Sequence, residues 1–264
     1  MRDKIKVLFL ASDPFHDRAP LRLDEEVRAI GNALLKGRAR DGVELIPYFA
    51  TRTRDLQEAL LRHDPQIVHF AGHGGGSGVI YLGDAQGRPG AVGKEALAEL
   101  FGILSEWIKV VILNGCDTLP IVEALGGVVD YAIGMSQPLT DASAIVFAEA
   151  FYGAVGMGRT VQTSFQLAVS QLKLEGNAEA AKPVLRIRPG VDPSVPLVTP
   201  AATPPSPAQS AGGGAAVEPS EPGMVSDIKS FQADDVLFEN RPGTGKSVHR
   251  FDNVSGRGFI FRNN

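Results

Sequence analysis

Gln66-Ile-Val-His-Phe-Ala-Gly-His-Gly-Gly75 and Val110-Val-Ile-Leu-Asn-Gly-Cys-Asp-Thr118 decide how this chain is read. Each is a short apolar run that stops abruptly in small and polar residues. Runs that short and β-branched, bounded by glycine, are expected to be strands buried on both faces of a parallel sheet. Side chains just beyond the carboxyl ends of such strands line the crevice where open α/β sheets bind ligands. The chain's one cysteine, Cys116, and one of its five histidines, His73, both fall at such ends. A free thiol, with a pKa of about 8.5, is mostly protonated at neutral pH, and a neighbouring imidazole helps convert it to a nucleophilic thiolate.

Outward from these two runs, strand and helix patterns alternate. Strands are expected at 4–12, 43–49, 67–71, 110–113, 128–134 and 184–187. Helices are expected at 23–36, 52–63, 95–107, 119–125, 141–155 and 160–174, with Gly126-Gly127 ending the fourth. Gly74 to Gly78 is a flexible turn, followed by a hairpin arm at 79–82 closing at Asp84 to Gly87. The sum is a doubly wound, mainly parallel sheet flanked by helices.

His-Phe-Ala-Gly-His73-Gly74 and Leu-Asn-Gly-Cys116-Asp resemble the two catalytic motifs of the CHAT-domain peptidases, a caspase-like, clan CD group. Further likeness lies at Asp24–Ile30 and Asp141–Tyr152, and the resemblance spans roughly residues 4 to 188. It implies a cysteine endopeptidase in which His73 is general base and Cys116 nucleophile. The backbone N–H groups of Gly74 and Cys116 would form the oxyanion hole. An acidic group near Asp141 can line the pocket for the residue before the cut in related peptidases, which makes a basic preference an expectation. The other reading of Asp141 is a helix N-cap, and Asp117 is open between pocket lining and capping. The family setting suggests bacterial signalling or defence, with a protein substrate and an activating protein partner, and no metal or organic cofactor.

Other signals weigh less. His69 and His73 with Cys116 could supply three zinc ligands, but there is no second cysteine, and period-two alternation and a turn separate the rings. His69 is expected to be a satisfied core histidine behind the dyad. Asp24, Glu25 and Glu26 open a helix, where they complement its dipole. Gly243-Thr-Gly-Lys-Ser247 resembles the end of a phosphate loop, but Asn240 stands where the first glycine is required and no helix can follow.

The 264 residues carry a formal net charge of −4, which gives no general attraction to nucleic acid or anionic membrane. One cysteine allows no intrachain disulfide and fits a reducing cytoplasm. No run approaches the ~20 apolar residues of a membrane span, and Ile5–Ala11 lacks a signal-peptide pattern. Three segments follow: a peptidase domain at 1–188, a linker at 189–223 and a tail at 224–264. Nine of the eighteen prolines fall between Pro189 and Pro222, a composition suited to a semi-extended linker. The tail holds five of the thirteen phenylalanines and short strand-like runs at Val236–Phe238 and Gly258–Phe261. Too small for an independent core, it is expected to dock on the peptidase domain or on a partner. The alternative to an enzyme is an interaction module that keeps the fold and recruits partners through this tail. A nucleotide sensor is a third reading, and no strand-following G-x-G-x-x-G supports it.

Overall fold

The protein is described by a computed structural model covering residues 4–199 and, within the segment 225–263, the backbone of six short strands. The expected Pro-rich linker beyond 199, the 243–247 stretch and the tail's side chains lie outside the described residues. The chain forms two units, Met1–Pro204 and Pro205–Asn264.

In the first unit the elements run β1 (Ile5–Ser12), α1 (Leu23–Leu35), β2 (Val43–Tyr48), α2 (Thr53–His63), β3 (Ile67–Gly72), β4 (Gly74–Gly75), β5 (Val79–Gly83) and β6 (Pro89–Gly93). They continue as α3 (Lys94–Ile103), β7 (Val110–Asn114), α4 (Leu119–Leu125), β8 (Tyr131–Met135), α5 (Asp141–Gly156), α6 (Val161–Leu174) and β9 (Pro183–Ile187). The second unit contains β10 (Val225–Ile228), β11 (Phe231–Gln232), β12 (Val236–Asn240), β13 (Val248–Phe251), β14 (Val254–Ser255) and β15 (Phe259–Asn263).

The main sheet has the order β2-β1-β3-β7-β8-β9; all neighbours are parallel except β9, which joins antiparallel at the edge. Alternation along β1 explains the layering. Val7, Phe9 and Ala11 enter one core with Ile30 and Leu34 of α1, Phe147 and Phe151 of α5 and Ala168 of α6. Leu8 and Leu10 enter the other, with Leu56 and Leu60 of α2, Leu97 of α3 and Val122 of α4. Every residue of β3 and β7 is buried, as strands covered on both faces must be. Thr140 and Thr160 start α5 and α6 as side-chain caps, accepting from the N–H groups of Ser143 and Thr163; each such cap is worth about 1 kcal/mol.

The expected class and element order agree with the structure, and several boundaries are corrected. Gly74 and Gly75 pair with Ile80 and Val79 as the edge of a small antiparallel sheet, so they are not simply a turn. Helix α3 ends at Ile103, four residues early, because the chain turns at Leu104 to bury Leu104 and Ile108. Gly126 ends α4 in right-handed conformation. Val128 and Val129 close that turn through N–H bonds to Leu125, so β8 begins only at Tyr131. The first unit also runs past the expected boundary at 188: Val198 is buried in the core, with Val191 and Leu197 packed against it.

Candidate active site

Three neighbouring strands end together. β1 pairs with β3 up to Ser12↔Gly72, and β3 with β7 up to Ala71↔Asn114. The next residues are therefore Asp13, His73 and, one further on, Cys116. The β1–β3 junction is where strand order reverses direction, the place where an open α/β sheet leaves a crevice.

Close backbone approach explains the glycines of both motifs. A Cβ on Gly74 would lie 2.1 Å from the Cys116 carbonyl oxygen. One on Gly115 would lie 2.8 Å from the Gly72 carbonyl oxygen and 3.3 Å from the Gly74 nitrogen. No side chain fits at either position, so the turns after β3 and β7 touch only because both are glycine. Tyr81 N–H donates to the His73 carbonyl, making Gly74 and Ile80 a non-hydrogen-bonded antiparallel pair. In such a pair the N–H points away from the partner strand, so Gly74 N–H is directed away from β5.

His73 and Cys116 line one cleft of about 440 Å³, open solvent included, together with Gly72, Gly115, Leu139 and Asp141. His73 Nε2 lies 3.0 Å from Asp13 Oδ1, and Asp13 Oδ2 accepts from Leu21 N–H at 3.0 Å. The pair is shielded, with side chains 13% and 18% exposed, and the Phe15 ring stands edge-on to the imidazole. Asp13 thus fixes one ring nitrogen and leaves Nδ1 for other work. Asp13 lies just past the first expected strand, 4–12, and nothing in the sequence assigns it a role. Its position one residue past β1, level with His73, was the available signal.

The Cys116 thiol is pushed up from the ordinary cysteine pKa, first by burial and then by the charges of Asp117 and Asp141. A backbone hydrogen bond from Leu139 and the charge of Lys182 act the other way. Asp141 does not cap its helix: Thr140 does, while Asp141 Oδ2 accepts from Arg22 N–H at 3.2 Å. Asp117 is not among the residues lining the cleft. Nor does any side chain cap α4; Asp117 occupies the left-handed region at φ 51° and acts on Cys116 through its charge.

Under the cleft lies a polar cluster. His69 is fully buried, with Nε2 2.9 Å from Glu26 Oε1 and Nδ1 3.1 Å from the Tyr152 hydroxyl. Both ring nitrogens are engaged, so His69 is a satisfied core histidine and has no free nitrogen for a metal. Tyr152 is held well above the usual phenol range by burial and by the Glu26 charge, so it remains protonated. Glu26 departs from expectation. It is 4% exposed and lines the cleft, accepting from His69 and from Asn114 Nδ2 at 2.5 Å. Its neighbours Asp24 and Glu25 remain on the surface with Arg28 and Arg22. Asn114 Oδ1 is buried and has no partner among the described residues.

No protein-family model matches the chain. A Roc-COR-CHAT protease from an unknown prokaryotic organism is 22% identical over 175 residues, covering 64% of this chain. The crystal structure of the Arg-specific cysteine proteinase gingipain R superposes with a TM-score of 0.51, 13% identity and 74% of this chain covered. The fold is caspase-like. This likeness to a CHAT protease agrees with the CHAT resemblance read from the sequence. A secreted C11 cysteine protease from Bacteroides thetaiotaomicron aligns at 12% identity over 53% of this chain, with a TM-score of 0.36. The chain spans 16% of the length of the Roc-COR-CHAT protease and 48% of gingipain R. Among the described residues, no helix is long and apolar enough to cross a membrane.

Proposed function

We propose that this chain is a caspase-like cysteine endopeptidase acting through a His73/Cys116 dyad. One observation carries the reading: His73 and Cys116 line one cleft from adjacent strand ends, with Asp13 on Nε2 of the imidazole. Asp13 orients the ring. His73 Nδ1 takes the proton from the thiol as Cys116 Sγ attacks the scissile carbonyl. The N–H groups of Gly74 and Cys116 stabilise the oxyanion, and the tetrahedral intermediate collapses as His73 protonates the leaving amine. Water activated by His73 then hydrolyses the thioester and restores the free thiol.

The residue before the cut is basic. Asp141 sits on the cleft wall, while Glu26 and Asn114 Oδ1, which has no partner among the described residues, lie deeper, a set rich in acceptors. A guanidinium, which only donates, complements it. Gingipain R, of similar fold, is Arg-specific. The raised Cys116 pKa suits a peptidase idle until a partner acts, consistent with bacterial signalling or defence.

The test is mass-spectrometric identification of cut sites in a proteome exposed to the purified protein or to its Cys116→Ala variant. Cuts after arginine or lysine that vanish in the variant are expected. Equal cutting by both, in an activated preparation, would leave the interaction-module reading in its place.

A further inference from the structure

The three strand pairs of the C-terminal unit share one offset. β10 pairs with β13 beginning at Val225↔Val248, β11 with β14 at Phe231↔Val254, and β12 with β15 at Val236↔Phe259, all parallel. Within each pair the partner lies 23 residues further along the chain. Three parallel pairs at a constant offset describe two successive coils of chain, the second stacked on the first one strand spacing away.

The sequence repeats at the same offset. Met224–Arg241 set against Ser247–Asn264 puts apolar residues opposite apolar ones at Val225, Ile228, Phe231 and Val236 to Phe238. Charges fall opposite their complements at Asp227/Arg250, Lys229/Asp252, Asp234/Arg257 and Glu239/Arg262, and no like charges meet. Asn240 falls opposite Asn263. In-register opposite charges stabilise paired strands and like charges destabilise them, while asparagines stacked in register form ladders. The complementarity belongs to the 23-residue spacing: three of the four charge pairs set an acid of the first repeat against an arginine of the second.

We propose that the C-terminal unit is a stacking module whose partner is a second copy of this chain. Each of these two-stranded sheets leaves one edge of each strand unpaired among the described residues. The free edge of the second coil offers the basic positions Arg250 and Arg262, and the first coil of another copy offers Asp227 and Glu239. A second chain therefore docks in the register the chain already uses internally. Two coils are fewer than the three or more repeats a stacked array needs for stability, and further copies supply the missing neighbours. The contact is head-to-tail and related by translation, so it does not close and propagates as a filament.

The full-length protein in a Cys116→Ala background tests this without proteolysis, so the result is independent of the peptidase reading. The expected result is sedimentable filaments with a fibre reflection near ~4.8 Å, whose sonicated fragments abolish the lag of fresh protein. Asp227→Arg with Glu239→Arg puts like charges in register within and between chains and should lose assembly. Adding Arg250→Asp and Arg262→Glu inverts every altered pair and should restore it. Fragments of the inverted protein should not seed the wild type, because arginine would then meet arginine at the joint. Wild type that stays dispersed when seeded, a double variant that assembles, an inverted protein that does not, or free cross-seeding would each overturn the proposal.

Discussion

At the scale of the residue, the cleft sets two carboxylates to different tasks. Asp13 holds the Nε2 of His73, whereas the charge of Asp141 disfavours the Cys116 thiolate. In the resting protein burial and negative charge prevail, so alkylation of Cys116 by iodoacetamide should rise with pH along a curve whose midpoint lies above the ~8.5 of a free cysteine. Asp141→Asn removes a charge that raises the pKa and should move that midpoint down. A wild-type midpoint well below that of free cysteine would mean that thiolate and imidazolium already coexist at rest. His73 and Cys116 were legible because each motif ends a strand in glycine and a reactive side chain. Asp13 and Glu26 were less so: Asp13 offered only its place just past the first strand, and Glu26 nothing local. Asp13 acquires its role from a strand 60 residues before its partner, and Glu26 looks like any acidic residue in a first helical turn.

At the scale of the element, the start of α5 is held by a carboxylate from beyond α6. Glu179 accepts from Thr140 Oγ1 at 2.7 Å, Ser143 Oγ at 2.5 Å and Lys182 Nζ at 2.6 Å. Burial alone would raise its pKa, but the bonds from Lys182, Ser143 and Thr140 outweigh that and hold it down to about 2. A carboxyl depressed on folding contributes stability above its unfolded pKa and loses it as pH falls through the folded one. The window is therefore from about 4.5 down to about 2, and the stake is on the order of 3 kcal/mol. Glu179→Gln should lower the urea midpoint at pH 7 and flatten its dependence on pH across that window. An unchanged slope would mean that the Thr140 cap holds α5 without it. Sequence periodicity located α5 correctly but left Asp141 open between a pocket wall and the helix cap, since both Thr140 and Asp141 suit the capping position. Only the fold shows that Arg22 N–H has claimed Asp141, which turns a capping residue into a wall of the cleft.

At the scale of the whole molecule, the alternation of strands and helices and the mainly parallel sheet followed from the apolar runs, while the division of the chain did not follow from composition alone. Proline and glycine placed the boundary near residue 189, yet Val198 reaches back into the core and carries the first unit on to Pro204. In the tail the phenylalanines say little one by one, and the informative feature is the 23-residue repeat, which is written in the sequence and shows only when the segment is set against itself. If the two units have separate roles, ending the chain after Pro204 should retain the thermal midpoint of the first unit and its basal cleavage of a short arginyl peptide. Ending it after Arg188 should lower that midpoint, because Val191, Leu197 and Val198 leave the core, and burying a single such side chain is worth about 1.5–3 kcal/mol. Thermal unfolding of the two truncations beside the full chain decides the matter. Loss of the folded state on cutting at 204 would show that the first unit depends on the second, whereas equal midpoints for both truncations would return the boundary to 188.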